Sequence, residues 1–266
     1  MTLKTFHSGL PMGGGKTVVA FAPGAAYDRR AVLHDVGDVV DTFGGSYLTG
    51  PDVGTGPEDM AVIGQRTPHV MCRPKALGGS GDSSEHTALG VLAAIRAVCP
   101  QARRFTIVGL GNVGGHLARM LAADQSNTLS VADVDPSRRV LADRFGASWV
   151  APEAALGTEC DVLIPAATGG VITAQLVPEL RCGAIIGPAN NQLSTDNVAA
   201  LLEERGIVWV PDHIAGAGGV IHAVATEIYR ETPTQIAERI AAIGLRALEV
   251  GSGNGFQAQD ARRKRS

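Results

Sequence analysis

The sequence has few aromatic residues, few cysteines and no surplus of either charge: 266 residues carry two Trp, three Tyr, six Phe and four Cys, with a formal net charge of −3. The cysteines, Cys72, Cys99, Cys160 and Cys182, form no CxxC pair, and no histidine stands beside them at metal-ligand spacing. That excludes a disulfide framework and a zinc module, and it leaves reduced, buried residues of a cytoplasmic protein as the expectation. Without a basic surplus there is no electrostatic footprint for nucleic acid or an anionic membrane. The basic run Arg262-Arg263-Lys264-Arg265 reads as a solvated end. No stretch reaches the roughly 18 apolar residues of a membrane span, and the N-terminal region is glycine-rich where a signal peptide needs an apolar core. The expected partners are therefore small molecules.

Glycine, by contrast, is abundant, with 34 residues. In a chain with few aromatics this points to tight turns around a ligand. From about Arg104 onward, short apolar runs alternate with helical spacing. Phe105–Val108 reads as a buried parallel strand. Val113–Ala123 follows as a helix, with Val113, Leu117, Met120 and Leu121 on one face. Leu129–Ala132, Asp161–Ala166, Cys182–Gly187 and Ile207–Val210 continue as strands. Arg139–Phe145, Thr173–Leu180 and Thr195–Glu204 continue as helices, the last closing at Gly206. This alternation predicts an α/β fold with a doubly wound parallel sheet.

The earlier part is also mixed. Lys16–Phe21 reads as a strand, Ala31–Phe43 as an amphipathic helix, Tyr47–Thr49 as a short strand, and a helix capped by Ser83 or Ser84 runs to about Val98. Val220–Val250 reads as two helices split near Pro233. The expected organisation is a substrate domain over 1–97, a dinucleotide-binding domain over 98–225 and C-terminal helices over 226–266 that pack back on the first domain.

The strongest local motif is Gly109-Leu110-Gly111-Asn112-Val113-Gly114, a GxGxxG directly after a strand and opening a helix. The first glycine permits the tight turn, the second lets a pyrophosphate approach the backbone, and the third lets helix and strand pack closely. Asp133 stands at the end of the next strand, 24 residues after Gly109. That is close to the spacing of an acid that bonds a ribose, with Asp135 as the neighbouring candidate. An acid there repels a 2′-phosphate and so favours NAD over NADP.

Gly13-Gly14-Gly15-Lys16-Thr17 superficially suggests a phosphate-binding loop. GxxxxGK would require glycine where Leu10 stands, and Lys16 leads into β-branched Val18 and Val19 instead of a helix. A lysine on a glycine-walled turn has another use: desolvation lowers its pKa and provides a neutral amine that can act as a base.

The segments Met1-Thr2-Leu3-Lys4, Gly9–Thr17, Gly50-Pro51-Asp52-Val53-Gly54-Thr55, Glu58-Asp59-Met60, Gly79–Ser84 with Thr87-Ala88, Ala189-Asn190-Asn191, and Pro211-Asp212-His213 with Ala217-Gly218-Gly219 occur in one order. Together they resemble the glutamate/leucine/phenylalanine/valine dehydrogenase family over nearly the whole chain, to about Glu227. Pro11-Met12 and Gly50-Pro51-Asp52 most resemble its phenylalanine branch.

The resemblance implies NAD-dependent oxidative deamination of an L-amino acid, with an aromatic one preferred, in a cleft between two domains of a homo-oligomer. It implies that Lys4 pairs with the substrate α-carboxylate, that Lys16 activates water, and that Asp52 exchanges a proton with the substrate nitrogen. Gly50, Val220 and Ala223 would line the side-chain pocket. Thr87 and Asn190 would position the nicotinamide end, and Ala166 would join the cofactor-binding set. Two departures stand out. The family has Asn where this chain has Gly216, at a position that helps hold the amino-acid head group. The family also carries a substantial segment before the equivalent of Met1. These departures keep a second expectation open, a divergent member that binds NAD without turning over amino acids and serves as a binding or assembly subunit.

Overall fold

A computed structural model describes residues 1–22 and 24–251; the basic run at 262–265 lies outside the described residues. The chain divides into two compact units. One comprises Met1–Ser83 with Val220–Ile236, and the other Ser84–Gly219 with the stretch from Ala237 onward. Among the described residues no helix is long and apolar enough to cross a membrane.

The first unit opens with helix α1 (Thr2–His7), α2 (Arg29–Asp41) and α3 (Pro57–Ile63). The Asp28 side chain caps α2 by accepting from the backbone N–H of Arg30 at 2.9 Å and of Ala31 at 3.3 Å. Leu33 of α2 packs with Met60 and Ile63 of α3 and with Val70 in a small core. The expected strand over Lys16–Phe21 does not form: these residues have no regular structure, and Val18 is 84% exposed. A strand needs a partner for its backbone, and among the described residues these join no ladder. The short strand expected at Tyr47–Thr49 is reduced to one parallel bridge, Thr49 to Val70.

In the second unit, helix α4 (Ser84–Val98) is followed by β1 (Arg104–Val108), α5 (Asn112–Ala122), β2 (Thr128–Ala132), α6 (Arg139–Arg144) and β3 (Ser148–Trp149). Next come α7 (Pro152–Ala155), β4 (Cys160–Pro165), β5 (Cys182–Ile186), α8 (Val198–Glu204), β6 (Val208–Val210) and α9 (Asp212–Ala215). The six strands make one sheet of order β3-β2-β1-β4-β5-β6, parallel at every pairing. The order reverses between β1 and β4, the switch point at which open α/β sheets bind ligands beyond the strand C-termini. Ile107, Val131, Val162, Leu163, Ile164, Ile185 and Ile186 are fully buried, as strands covered by helices on both faces must be.

Thr173–Leu180, expected as a helix, contains only a 3-10 turn at Val177–Glu179. Pro178 lacks the N–H that a continuing helix needs. Ile172 bridges instead to Leu193, and Ile172, Val177 and Leu180 are buried beside Leu163 and Ile185. After α9 come α10 (Gly218–Glu227), α11 (Pro233–Ala241) and α12 (Ile243–Gly251), three helices where two were expected. α12 lies along α4: a Cβ at Gly90 would meet Ile243, and one at Gly244 would meet the Ala93 carbonyl.

Burial sets an expected contrast in stability. Leu163→Ala deletes a fully buried side chain from β4 and should cost about 2–5 kcal/mol. Val140, 68% exposed, should tolerate alanine within about 0.5 kcal/mol. Denaturant melts of the two variants check this, and equal losses would contradict the assigned core.

Candidate active site

In the first unit, α1 rests on the glycine run. The Thr5 hydroxyl donates to the Gly13 carbonyl at 3.5 Å and the Thr2 hydroxyl to the Gly14 carbonyl at 3.4 Å. A side chain at Gly14 would collide with Met1, so only glycine permits this approach. Lys4, half-buried on α1, and Lys16, just past the glycines, are thereby carried by two segments in contact. The Thr17 hydroxyl bonds the Tyr47 hydroxyl at 3.1 Å, which ties the lysine segment to the residues leading into Gly50 and Asp52. The Lys16 ammonium faces the Asp52 carboxylate as an ion pair, each side chain nearly half exposed. Partial burial lowers the Lys16 pKa below the ordinary lysine value, and the facing carboxylate supplies an opposing attraction that favours the ammonium.

Asp52 sits in a closed turn. Its Oδ1 accepts from the Val53 N–H at 2.8 Å. Its carbonyl accepts from the Thr55 N–H and hydroxyl at 2.9 Å, and its own N–H donates to that hydroxyl at 2.9 Å. Gly50, two residues earlier, has open space where a side chain would stand. It follows Thr49, which is fixed by backbone bonds to His69 and Met71.

Two contacts here have no local sequence signal, because each joins residues far apart in the chain. The Arg29 guanidinium forks onto both carboxylate oxygens of Asp59 at 2.9 Å and donates to the Gly54 carbonyl at 2.7 Å. These bonds hold the Asp59 carboxyl below the usual carboxylate range. At the end of α10, one carboxylate oxygen of Glu227 accepts from the Cys72 N–H at 2.7 Å, the Ser80 N–H at 2.8 Å and the Ser80 hydroxyl at 2.6 Å. Glu227 thus fixes the loop 72–80, in which Cys72 takes a positive φ of 62°. Val220 and Ala223 lie on the same helix, Val220 half-buried and Ala223 buried.

In the second unit the glycine loop leaves β1 at the switch point. Gly109 has φ of 107°, and a Cβ there would press on Ala166 and Ala167 beyond β4. A Cβ on Gly114 would collide with the Gly109 carbonyl oxygen. Gly111, in contrast, faces open space. The first N–H groups of α5, at Asn112, Val113 and Gly114, have no partner one turn back within the helix, and Gly111 supplies no side-chain cap. A loop packed tightly at its two outer glycines and open at the middle one, ahead of helical donors, fits a dinucleotide pyrophosphate.

Asp133, at the end of β2, accepts from the Leu110 N–H at 2.6 Å and from the Asp135 N–H at 2.9 Å. It braces the glycine loop, and its oxygens keep further lone pairs for a ligand. The Ala166 N–H donates to the Val108 carbonyl at 2.8 Å, which holds Ala166 beside the loop. Asn190 follows β5; its carbonyl packs against Gly169 where a side chain would clash, so the loops after β4 and β5 lie together. Thr87 sits in the first turn of α4, which is paired to α5 by Glu85 and Arg119 at 2.7 Å. Gly218 packs against the His86 carbonyl and the Thr87 backbone. Gly216 is buried at the end of α9, its N–H bonded to the Asp212 carbonyl at 2.8 Å.

The site residues expected from sequence thus fall into two sets. Lys4, Lys16, Gly50, Asp52, Val220 and Ala223 belong to the first unit. Thr87, Gly109, Gly111, Asn112, Val113, Gly114, Asp133, Ala166, Asn190 and Gly216 belong to the second.

A family model described as Glutamate/Leucine/Phenylalanine/Valine dehydrogenase matches residues 137–232, and one described as Glu/Leu/Phe/Val dehydrogenase, dimerisation domain, matches residues 1–69. The chain is 34% identical to a leucine dehydrogenase of Bacillus cereus, over 96% of this chain and 72% of that protein. It is 32% identical to a phenylalanine dehydrogenase of Caldalkalibacillus thermarum, over 91% of this chain and 69% of the relative. The crystal structure of L-tryptophan dehydrogenase from Nostoc punctiforme superposes with a TM-score of 0.75 at 29% identity, covering 99% of this chain and 78% of that one. Such even identities carry a family and leave the substrate open. On its sequence, its sheet order and these likenesses, the chain belongs to the glutamate/leucine/phenylalanine/valine dehydrogenase family of oxidoreductases.

Proposed function

We propose that the protein catalyses NAD-dependent oxidative deamination of an L-amino acid, preferably aromatic, to the 2-oxo acid and ammonia. The observation that carries this reading is the Lys16 ammonium facing the Asp52 carboxylate, with Lys4 on the adjoining helix. In this reading Lys4 pairs with the substrate α-carboxylate. Asp52 takes a proton from the substrate nitrogen and returns one to the leaving ammonia. Lys16, in the neutral amine form that burial favours, takes a proton from water as the water adds to the iminium carbon. Gly109, Gly111, Asn112, Val113 and Gly114 would cradle the pyrophosphate, Asp133 the ribose, and Thr87, Ala166 and Asn190 the nicotinamide end. When bound, the nicotinamide supplies the acceptor for the hydride that leaves Cα. The dimerisation domain matched over residues 1–69 supports a homo-oligomer, and we place it in the cytoplasm. The curated relatives it resembles are named as dehydrogenases, so turnover is the favoured reading over a binding or assembly subunit.

Lys16→Ala should lower kcat by about 10² to 10⁴ and leave NADH binding nearly intact, because one general base is lost while the glycine loop is untouched. Asp52→Asn should lose activity without losing the fold. Steady-state rates and fluorescence titration check both; near-normal kcat in a folded variant removes that residue from the chemistry.

Asp133 should select NAD over NADP. Fluorescence titration with NADH and NADPH tests this, and equal or tighter NADPH binding contradicts it.

The substrate proposal rests on the small residues Gly50 and Ala223. A roomy pocket favours a large side chain, since each buried CH₂ contributes about 0.8 kcal/mol. Phenylalanine or tryptophan should therefore exceed valine in kcat/KM. Gly216→Asn, which restores the family residue, should lower KM for the best amino acid. A block of that substrate with no gain elsewhere would instead show that the glycine makes room for a bulkier one.

A further inference from the structure

We propose that Arg29 is a positioning residue for Asp52 and acts through the Gly54 carbonyl; this rests on the catalytic reading of Asp52 given above. The turn that carries Asp52 has no regular structure. Val53 is 94% exposed, and Gly54 needs a positive φ of 82°. The bonds of Asp52 to Val53 and Thr55 close the turn on itself, but they do not fix its place in the unit. Arg29 ties the turn to the helices. It is the first residue of α2, behind the Asp28 cap, and its guanidinium spans Asp59 and the Gly54 carbonyl together. Asp59 lies in the first turn of α3 and accepts from the Gly56 N–H at 2.8 Å. One planar fork thus joins the starts of two helices to the loop that aims the carboxylate at Lys16.

The Arg29 side chain is half exposed and that of Asp59 18% exposed, so the forked pair adds to stability as well as to geometry, and Tm must be followed beside the rate. A shift of about 1 Å in a reacting group, however, can cost about a hundredfold in rate. The bond to Gly54 should therefore matter for catalysis more than for folding.

The test uses the full chain with NAD and the best substrate among L-leucine, L-phenylalanine and L-tryptophan. Arg29→Gln should lower kcat by about ten- to a hundredfold, with KM for the amino acid and NADH binding nearly unchanged. Arg29→Lys keeps a cation with donors for both Asp59 and Gly54 and should recover part of that loss. Combined with Asp52→Asn, Arg29→Gln should slow the enzyme no further, because both changes remove the same function. A folded Arg29→Gln variant with normal kcat overturns the inference, as does a loss that tracks only falling Tm or that adds fully to that of Asp52→Asn. If Asp52→Asn itself retains normal turnover, the catalytic reading fails, and the role of Arg29 fails with it. If Asp52→Asn is inactive and Arg29→Gln is normal, only the positioning role is lost.

Discussion

The ion pair between Lys16 and Asp52 is made by two segments that have no regular secondary structure, and it depends on everything that holds those segments still. Lys16 follows a glycine run on which α1 lies so closely that Gly14 can carry no side chain. Asp52 lies in a turn closed by Thr55 and tied to α2 and α3 through Arg29. Neither half of the pair would have a fixed direction without these supports. The pair is nearly half exposed, so its Coulomb energy adds little to stability. What it provides is an amine and a carboxylate at one place, with burial pulling the lysine pKa down and the carboxylate, as an opposite charge, pulling against it.

The second unit solves a different problem. The middles of its central strands are buried on both faces, and its switch point between β1 and β4 falls where the glycine loop leaves the sheet. Gly109 and Gly114 are used for packing, and Gly111 is left open. Asp133 bonds the loop itself through Leu110. The residue proposed to read the ribose therefore also shapes the glycine loop, and its replacement should disturb both.

Much of this was legible in the sequence, for physical reasons that differ along the chain. Burial on both faces makes a strand of a parallel sheet a continuous apolar run, so β1, β2, β4, β5 and β6 stood out. β3, only Ser148–Trp149, is too short to show any period. Thr173–Leu180 has apolar residues at helical spacing, but they are buried from an irregular segment around Pro178. Lys16–Phe21 has strand composition but, among the described residues, joins no strand ladder. The break between α11 and α12 falls at Ala242, a helix-favouring residue, with the nearest glycine, Gly244, already inside α12. At the candidate site, Lys16 and the glycine loop were visible because their motifs are local, and Asp52 only through the family resemblance of Gly50–Thr55. Arg29 and Glu227 were not, because their partners lie 25 to 155 residues away, and no pattern along the chain encodes such a pairing.

The reaction proposed for the protein is the conversion of an amino acid to a 2-oxo acid. The most direct measurement is the product balance of the wild-type protein with NAD and L-phenylalanine, following NADH, ammonia and the 2-oxo acid together. All three should appear in equal amounts and at one rate. NADH binding without any of these products, or NADH formed without ammonia, would contradict it.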